Sequence, residues 1–215
     1  MYECKRYTLT ARCGPVGQWG KGGHAHNDRN AITLRVGETW LIVDSGCMTY
    51  TGDTARRNRD RSTAAHATLT VEGREQLAWP NDSGGGLFWM MPDNTRARIT
   101  QRDADRWSAQ HSGFGKPHTR TLEFTDHTVS GTDTYEPAAG ESVIVRFPLG
   151  PTITFSENTF FSNGAPIASL ATEGAERIWL EESVFAPAYG LSVANETLCI
   201  AVSGPHVSWT IVVLE

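Results

Sequence analysis

Residues 22–28 read GGHAHND, with two histidines one residue apart behind glycines and ahead of an Asn and an Asp. In extended chain alternate side chains share a face. His24 and His26 would then point the same way, about 7 Å apart. That spacing suits a pair of metal ligands or a catalytic pair, and the same residue types also suit a solvated turn. A second candidate is Asp44, which closes the apolar run Trp40, Leu41, Ile42 and Val43. That run reads as a strand buried on both faces. An ionised carboxylate at its end is costly unless it is paired, hydrogen-bonded or bound to a metal. A third is His66, set among the small residues Ala64, Ala65 and Ala67. His26, Asp44 and His66 together offer nitrogen and oxygen donors that fit Zn²⁺ with a fourth position open. Their spacing is too long for one local motif, so three neighbouring strands would have to converge. In the other reading Asp44 caps a turn and each histidine is an ordinary satisfied polar residue.

The stretch ARRNRDRSTAAH adds Arg56, Arg57, Arg59 and Arg61. Guanidiniums suit bidentate binding of carboxylate or sulfate. The same stretch also reads as a solvated loop in which Asp53 and Asp60 neutralise two of the four.

The elements that must position these residues have a period of two. AITLRV alternates Ile32, Leu34 and Val36, and ATLTVEG, RARITQ, TRTLEFTD, SVIVRF, TITFS, RIWLEE, GLSVAN, TLCIAVSG and SWTIVVLE are similarly short. They are rich in β-branched and aromatic residues and bounded by Gly, Asn, Asp or Pro, which marks strands. VGET reads as a tight hairpin turn at Gly37 and Glu38, and ANET as a second at Asn195 and Glu196. Little supports a long amphipathic helix. The expected class is all-β: an antiparallel β-sandwich, rolled in the manner of a super-sandwich, of many short strands. The loops WPNDSGGGLF and HSGFGKPH have strands of one style on both sides, so residues 1–215 read as a single domain.

The chain has 215 residues, enough to bury a sizeable core. Its 19 Lys and Arg against 24 Asp and Glu leave a net charge of −5, which argues against a nucleic-acid partner. No run reaches the roughly 18 apolar residues of a membrane span. The first residues lack the apolar core of a signal peptide, so a cytoplasmic protein, a mature form or a fragment is expected. Cys4, Cys13, Cys47 and Cys199 form no CxxC pair and read as ordinary free thiols, with a Cys4–Cys13 bridge left open.

The motifs around the histidines, taken in order, resemble the signature block of the heparinase II/III-like polysaccharide lyases. The resemblance runs through the Gly-His-x-His-x-Asp run at 23–28, Val-Asp-x-Gly at 43–46 and Tyr50-Thr51. It continues through Arg57-Asn58, Arg-Ser-Thr-x-x-His at 61–66 and Gly-x-x-Gln at 73–76. Cupins also carry His-x-His after glycines, but Asn30 and Ala31 stand where their Glu belongs.

The resemblance implies an enzyme that cleaves acidic polysaccharide by β-elimination, built from an N-terminal α/α toroid and a C-terminal β-sandwich with the active site between them. It implies zinc on His26, Asp44 and His66, with His24 facing the cleft as the catalytic histidine. Tyr50, Arg57, Asn58 and Arg61 become candidate substrate-binding residues. Elimination removes the C5 proton of a uronate and expels the O4 glycoside, so a base, an acid and a neutraliser of the carboxylate are required. A histidine suits either proton-transfer role near neutral pH. The signature begins close to Met1, and relatives draw further catalytic groups from the toroid, so this chain by itself is expected to be a poor lyase. Ala67 departs from the Asn that many relatives carry after the histidine. A zinc-containing carbohydrate-binding or structural module without chemistry of its own is the alternative.

Overall fold

The computed structural model describes residues 1–79 and 92–214; the glycine-rich loop expected at 79–88 lies, beyond Trp79, outside the described residues. The strands, in chain order, are β1 (Tyr2–Glu3), β2 (Tyr7–Arg12), β3 (Ala31–Val36), β4 (Thr39–Ile42), β5 (Leu69–Val71), β6 (Arg98–Arg102), β7 (Arg106–His111) and β8 (His118–Phe124). They continue as β9 (Thr128–Tyr135), β10 (Val143–Pro148), β11 (Ile153–Ser156), β12 (Thr159–Ser162), β13 (Ala165–Glu173), β14 (Ala175–Ala188), β15 (Leu191–Val202) and β16 (His206–Val213). A short helix α1 (Thr54–Asp60) lies between β4 and β5.

Three antiparallel sheets result. One runs β1-β2-β3-β4, a second β14-β15-β10-β5, and the largest β11-β12-β13-β16-β9-β8-β7-β6. The two four-stranded sheets meet at the Ile42–Leu149 bridge. All three sheets bury their inner faces in one core, with Leu9 and Leu34 from the first, Phe147 and Ile200 from the second, and Val129 and Trp209 from the third. This is a β-sandwich, as its alternation requires: along β16, Val207, Trp209, Ile211 and Val213 are buried and the residues between them are not. Trp209 is so close to the facing strand that a Cβ on Gly131 would lie 2.1 Å from its ring, so only glycine fits there.

The Gly37–Glu38 turn forms as expected, with Val36 opposite Thr39 and a positive φ at Gly37 alone of the two. The turn expected at Asn195 and Glu196 does not form. Both residues lie inside β15, and the hairpin reverses at Tyr189 and Gly190 instead, with Ala188 opposite Leu191 and φ +76° at Gly190. GLSVAN and TLCIAVSG are therefore one strand, because polar residues on its outer face look like a turn when the partner strand is unknown. Trp40 also departs from expectation: it is half exposed, while Leu41, Ile42 and Val43 are buried. The arginine stretch is not a loop. Asp53 accepts from the Arg56 amide at 2.9 Å and caps α1, and Arg56 pairs with Asp60 one turn on. All four cysteines are free thiols.

Candidate active site and metal centre

The site forms where β4 ends, where the loop before β3 nears its end, and where α1 gives way to β5. His66 is buried without exposure. Its Nδ1 donates to the Ser62 carbonyl at 2.7 Å, which leaves Nε2 with its lone pair facing the site. His26 Nδ1 lies 3.0 Å from that Nε2, and Asp44 Oδ2 lies 3.6 Å from it. The candidate ligand atoms of His26, Asp44 and His66 all fall within 4.8 Å of one another. The two long spacings in the sequence are thus closed by the fold. The convergence is local and backbone-driven: the Asn27 amide donates to the Arg61 carbonyl and the Ile32 amide to the Ala67 carbonyl.

Two neutral imidazoles and a carboxylate in this arrangement fit a divalent ion such as zinc. The Ser62 carbonyl behind His66 orients the ring as an outer-shell partner does. His26 carries one condition. Arg57 Nη1 lies 3.1 Å from its Nε2 and donates to it, so Nδ1 holds the ring proton. A ligand at Nδ1 requires that proton to leave and the Arg57 contact to loosen. Burial, together with His66, Arg57 and Arg61, holds His26 well below the ordinary imidazole range against the pull of Asp44. Asp44 is half exposed. Desolvation works to raise its carboxyl, but His66, the Gly46 amide and His26 outweigh it and keep it below the usual carboxylate range.

His24 is exposed, one residue away from the half-buried His26. Its ring meets Tyr50 edge-on at 5.0 Å, and the Arg57 guanidinium lies 5.1 Å over the Tyr50 ring. His24 and His26 therefore do not share one face: one turns to solvent and the other to His66. Arg57 and Arg61 are fully buried, contrary to an exposed arginine patch. Arg57 holds His26 and the Gly23 carbonyl, while Arg61 donates to Asn58 and lies 4.6 Å over Trp79. In this fold they brace the site from behind; of the four arginines only Arg59 is exposed.

Several bracing residues were not singled out from the sequence. Glu75 accepts from Thr63 and Asn27, and Gln76 clamps the Arg29 backbone through its amide and carbonyl. Ser45 donates to the Asp60 carbonyl and lies 3.4 Å from His66 Nε2. Deeper still, Arg120 donates from Nη1 to the carbonyls of Asn30 and Ala67, just behind the two histidine segments. The Gly-x-x-Gln motif was the one signal for Gln76; nothing local pointed to Arg120.

The β-sandwich thus gathers a His, Asp and His donor set, with a third histidine turned to solvent beside a tyrosine. The family model for the heparinase II/III-like C-terminal domain matches residues 2–210, and the chain belongs to that family. Among solved structures it is similar to a heparan sulfate lyase HepC mutant from Pedobacter heparinus, with 16% identity and a TM-score of 0.72 over 97% of this chain and 33% of that one. It is also similar to a heparinase III gene product, with 18% identity and a TM-score of 0.69 over 96% of this chain and 32% of that one. At such identities the likeness is one of fold. The chain spans about a third of the length of these structures. No curated protein matched in a sequence search.

Proposed function

We propose that residues 1–215 act as one module of a polysaccharide lyase that cleaves uronate-containing chains by β-elimination, with His24 as a proton-transfer group and His26, Asp44 and His66 as a zinc site. The observation that carries this reading is the different placement of the two histidines. His26 is turned inward against His66, and His24 is exposed against Tyr50. When bound, zinc would tie the two histidine segments to the end of β4 and place positive charge behind the cleft. Arg57, through its contact with His26 and its place over Tyr50, links the histidine of the donor set to the ring that meets His24.

In the elimination a base takes the C5 proton, the C5–H electron pair forms the C4=C5 double bond, and the C4–O bond breaks. The departing O4 takes up a proton. His24 reaches solvent and has the chemistry for either transfer. The remaining groups, above all the one that neutralises the uronate carboxylate, are proposed to come from an α/α toroid in the whole enzyme. The substrate is proposed to be acidic polysaccharide, in keeping with the names of the similar structures.

The test is the ultraviolet absorbance of the unsaturated uronate product. In the whole protein that carries this module, His24→Ala is expected to lower turnover about 10²–10⁴-fold, the usual weight of a positioned acid or base, with metal content unchanged. Undiminished turnover would remove His24 from the chemistry. Loss of metal from His24→Ala would show that the roles of His24 and His26 are reversed.

A further inference from the structure

The β14–β15 hairpin reaches over the site and is fastened there at two points. The Ala186 amide donates to the Ser45 carbonyl at 2.9 Å, and Gly46 and Ala186 form a parallel bridge. A Cβ on Gly46 would lie 2.0 Å from the Ala186 oxygen, and Gly46 has φ +68°, so both closeness and backbone require glycine here. At the tip, the Gly190 amide donates to the Met48 carbonyl at 2.8 Å. The hairpin is thus pinned to both sides of the segment that follows Asp44.

This pinning sets Tyr189 over Tyr50. The two rings are nearly parallel, 13° apart, with centroids at 6.0 Å, an offset stack. Tyr50 in turn meets His24 edge-on and lies beneath Arg57. Yet Tyr189 is 69% exposed. A large ring held by a clamped turn, supported on one side and bare on the rest, is a flat apolar surface one ring away from His24. Apolar C–H faces of a pyranose fit such a surface, and its hydroxyls stay in water. Lone exposed aromatics are ordinary on protein surfaces; this one is distinguished by the stack that joins it to the site.

We infer that Tyr189 is the stacking platform of a sugar subsite beside His24, which binds a pyranose ring of the acidic polysaccharide next to the one that reacts. The inference rests on the lyase reading for its substrate, and its test separates the two. The subsite gains nothing from deep burial or from a salt link, so its binding survives added salt better than contacts made through charge. Leu191, also exposed and placed just past the turn, lies outside the stack and serves as the control.

Titration calorimetry of the full chain with heparan sulfate and alginate tetrasaccharides reads the subsite directly. Tyr189→Ala is expected to weaken binding about tenfold, the weight of roughly one aromatic contact, while Tyr189→Phe and Leu191→Ala bind as the unaltered chain does. Circular dichroism and urea midpoints confirm that the variants fold. Undetectable binding by the unaltered chain, or equal binding by Tyr189→Ala, overturns the subsite. So does an equal loss in Leu191→Ala, which would trace the effect to the hairpin tip as a whole and not to the Tyr189 ring. In the whole lyase Tyr189→Ala is expected to raise KM about tenfold with kcat kept, a split that the loss of a proton-transfer group does not produce. Turnover untouched by His24→Ala, with the Tyr189→Ala binding loss intact, would sink the lyase role of His24 and leave the subsite standing.

Discussion

Removing Arg120 tests how the site is held from below. Arg120 has no exposed surface. Its Nε and Nη2 bind the two carboxylate oxygens of Asp133 at 2.8 and 2.9 Å, a bidentate pair in the core. Asp133 also accepts from His118 Nε2 at 2.8 Å and from Trp209 Nε1 at 3.0 Å. Desolvation would raise the Asp133 carboxyl, but Arg120 and His118 outweigh it and hold it far below the usual range. Behind His118, His111 donates from Nε2 at 3.0 Å, since its Nδ1 accepts the Gly113 amide. Arg120→Met keeps the apolar stem and deletes the charge. Asp133 is then a buried carboxylate that has lost its cation, which costs about 3–5 kcal/mol. The Asn30 carbonyl loses its donor as well, at about 1 kcal/mol or more, while the Ala67 carbonyl keeps the Ile32 amide. The expected total is roughly 5 kcal/mol, which is comparable to the whole stability of many domains.

Urea denaturation at pH 7 gives that loss directly, and Arg120→Met/Asp133→Leu, which removes both charges, should recover a large part of it. A loss below about 1 kcal/mol with an unchanged urea slope would refute the claim that the pair is desolvated and organising. Because the two carbonyls lie next to the histidine segments, zinc affinity should fall in Arg120→Met under conditions where the protein remains folded. Unchanged affinity would confine Arg120 to the core.

Zinc at a hundredfold excess over its dissociation constant should stabilise the chain by about 2.7 kcal/mol, a rise of about 5–10 °C in melting temperature. That gain should vanish in His26→Ala, Asp44→Ala and His66→Ala and persist in His24→Ala; a melt that ignores zinc and chelator alike would dismiss the site. Acid should weaken the fold early. Burial keeps His26, His111 and His118 neutral, below the ordinary 6.5, whereas the unfolded chain takes up those protons as soon as pH falls past that value. Their contribution is therefore complete above about pH 6.5 and declines as pH falls. Asp93 works at the same sign but lower: desolvation opposes it, yet Thr95, the Val16 amide and Arg29 hold it at about 2, so its share is present above the ordinary 3.8 and lost toward 2. Urea midpoints that stay flat from pH 7 to pH 5 would contradict the histidine assignment.

How much of this was legible in the chain depends on the range over which each feature is decided. The period-two pattern, the Gly37–Glu38 turn and the end of a buried run at Asp44 are written in neighbouring residues, because side-chain alternation and turn backbone are local properties. The Asp53 cap of α1 was equally local, but four arginines drew the stretch toward a solvated reading. Strands β7, β9, β12 and β13 do not stand out in the sequence, since Ser, Gly and Asp weaken the apolar alternation; in β9 the inward positions include Gly131 and Asp133, which make sense only opposite Trp209 and Arg120. The ordered motifs carry the resemblance to the family, and with it the three residues of the donor set. Only the folded chain decided that His26 packs on His66 with Arg57 behind it, that Arg57 and Arg61 are bracing residues in the interior, and that the hairpin turns at Tyr189 and stacks it on Tyr50. Each of those outcomes depends on a partner tens of residues away. A sequence states which groups a chain possesses and how its neighbours bend, but the direction a side chain takes, and the dielectric around it, are set by contacts that exist only once the sheets have closed.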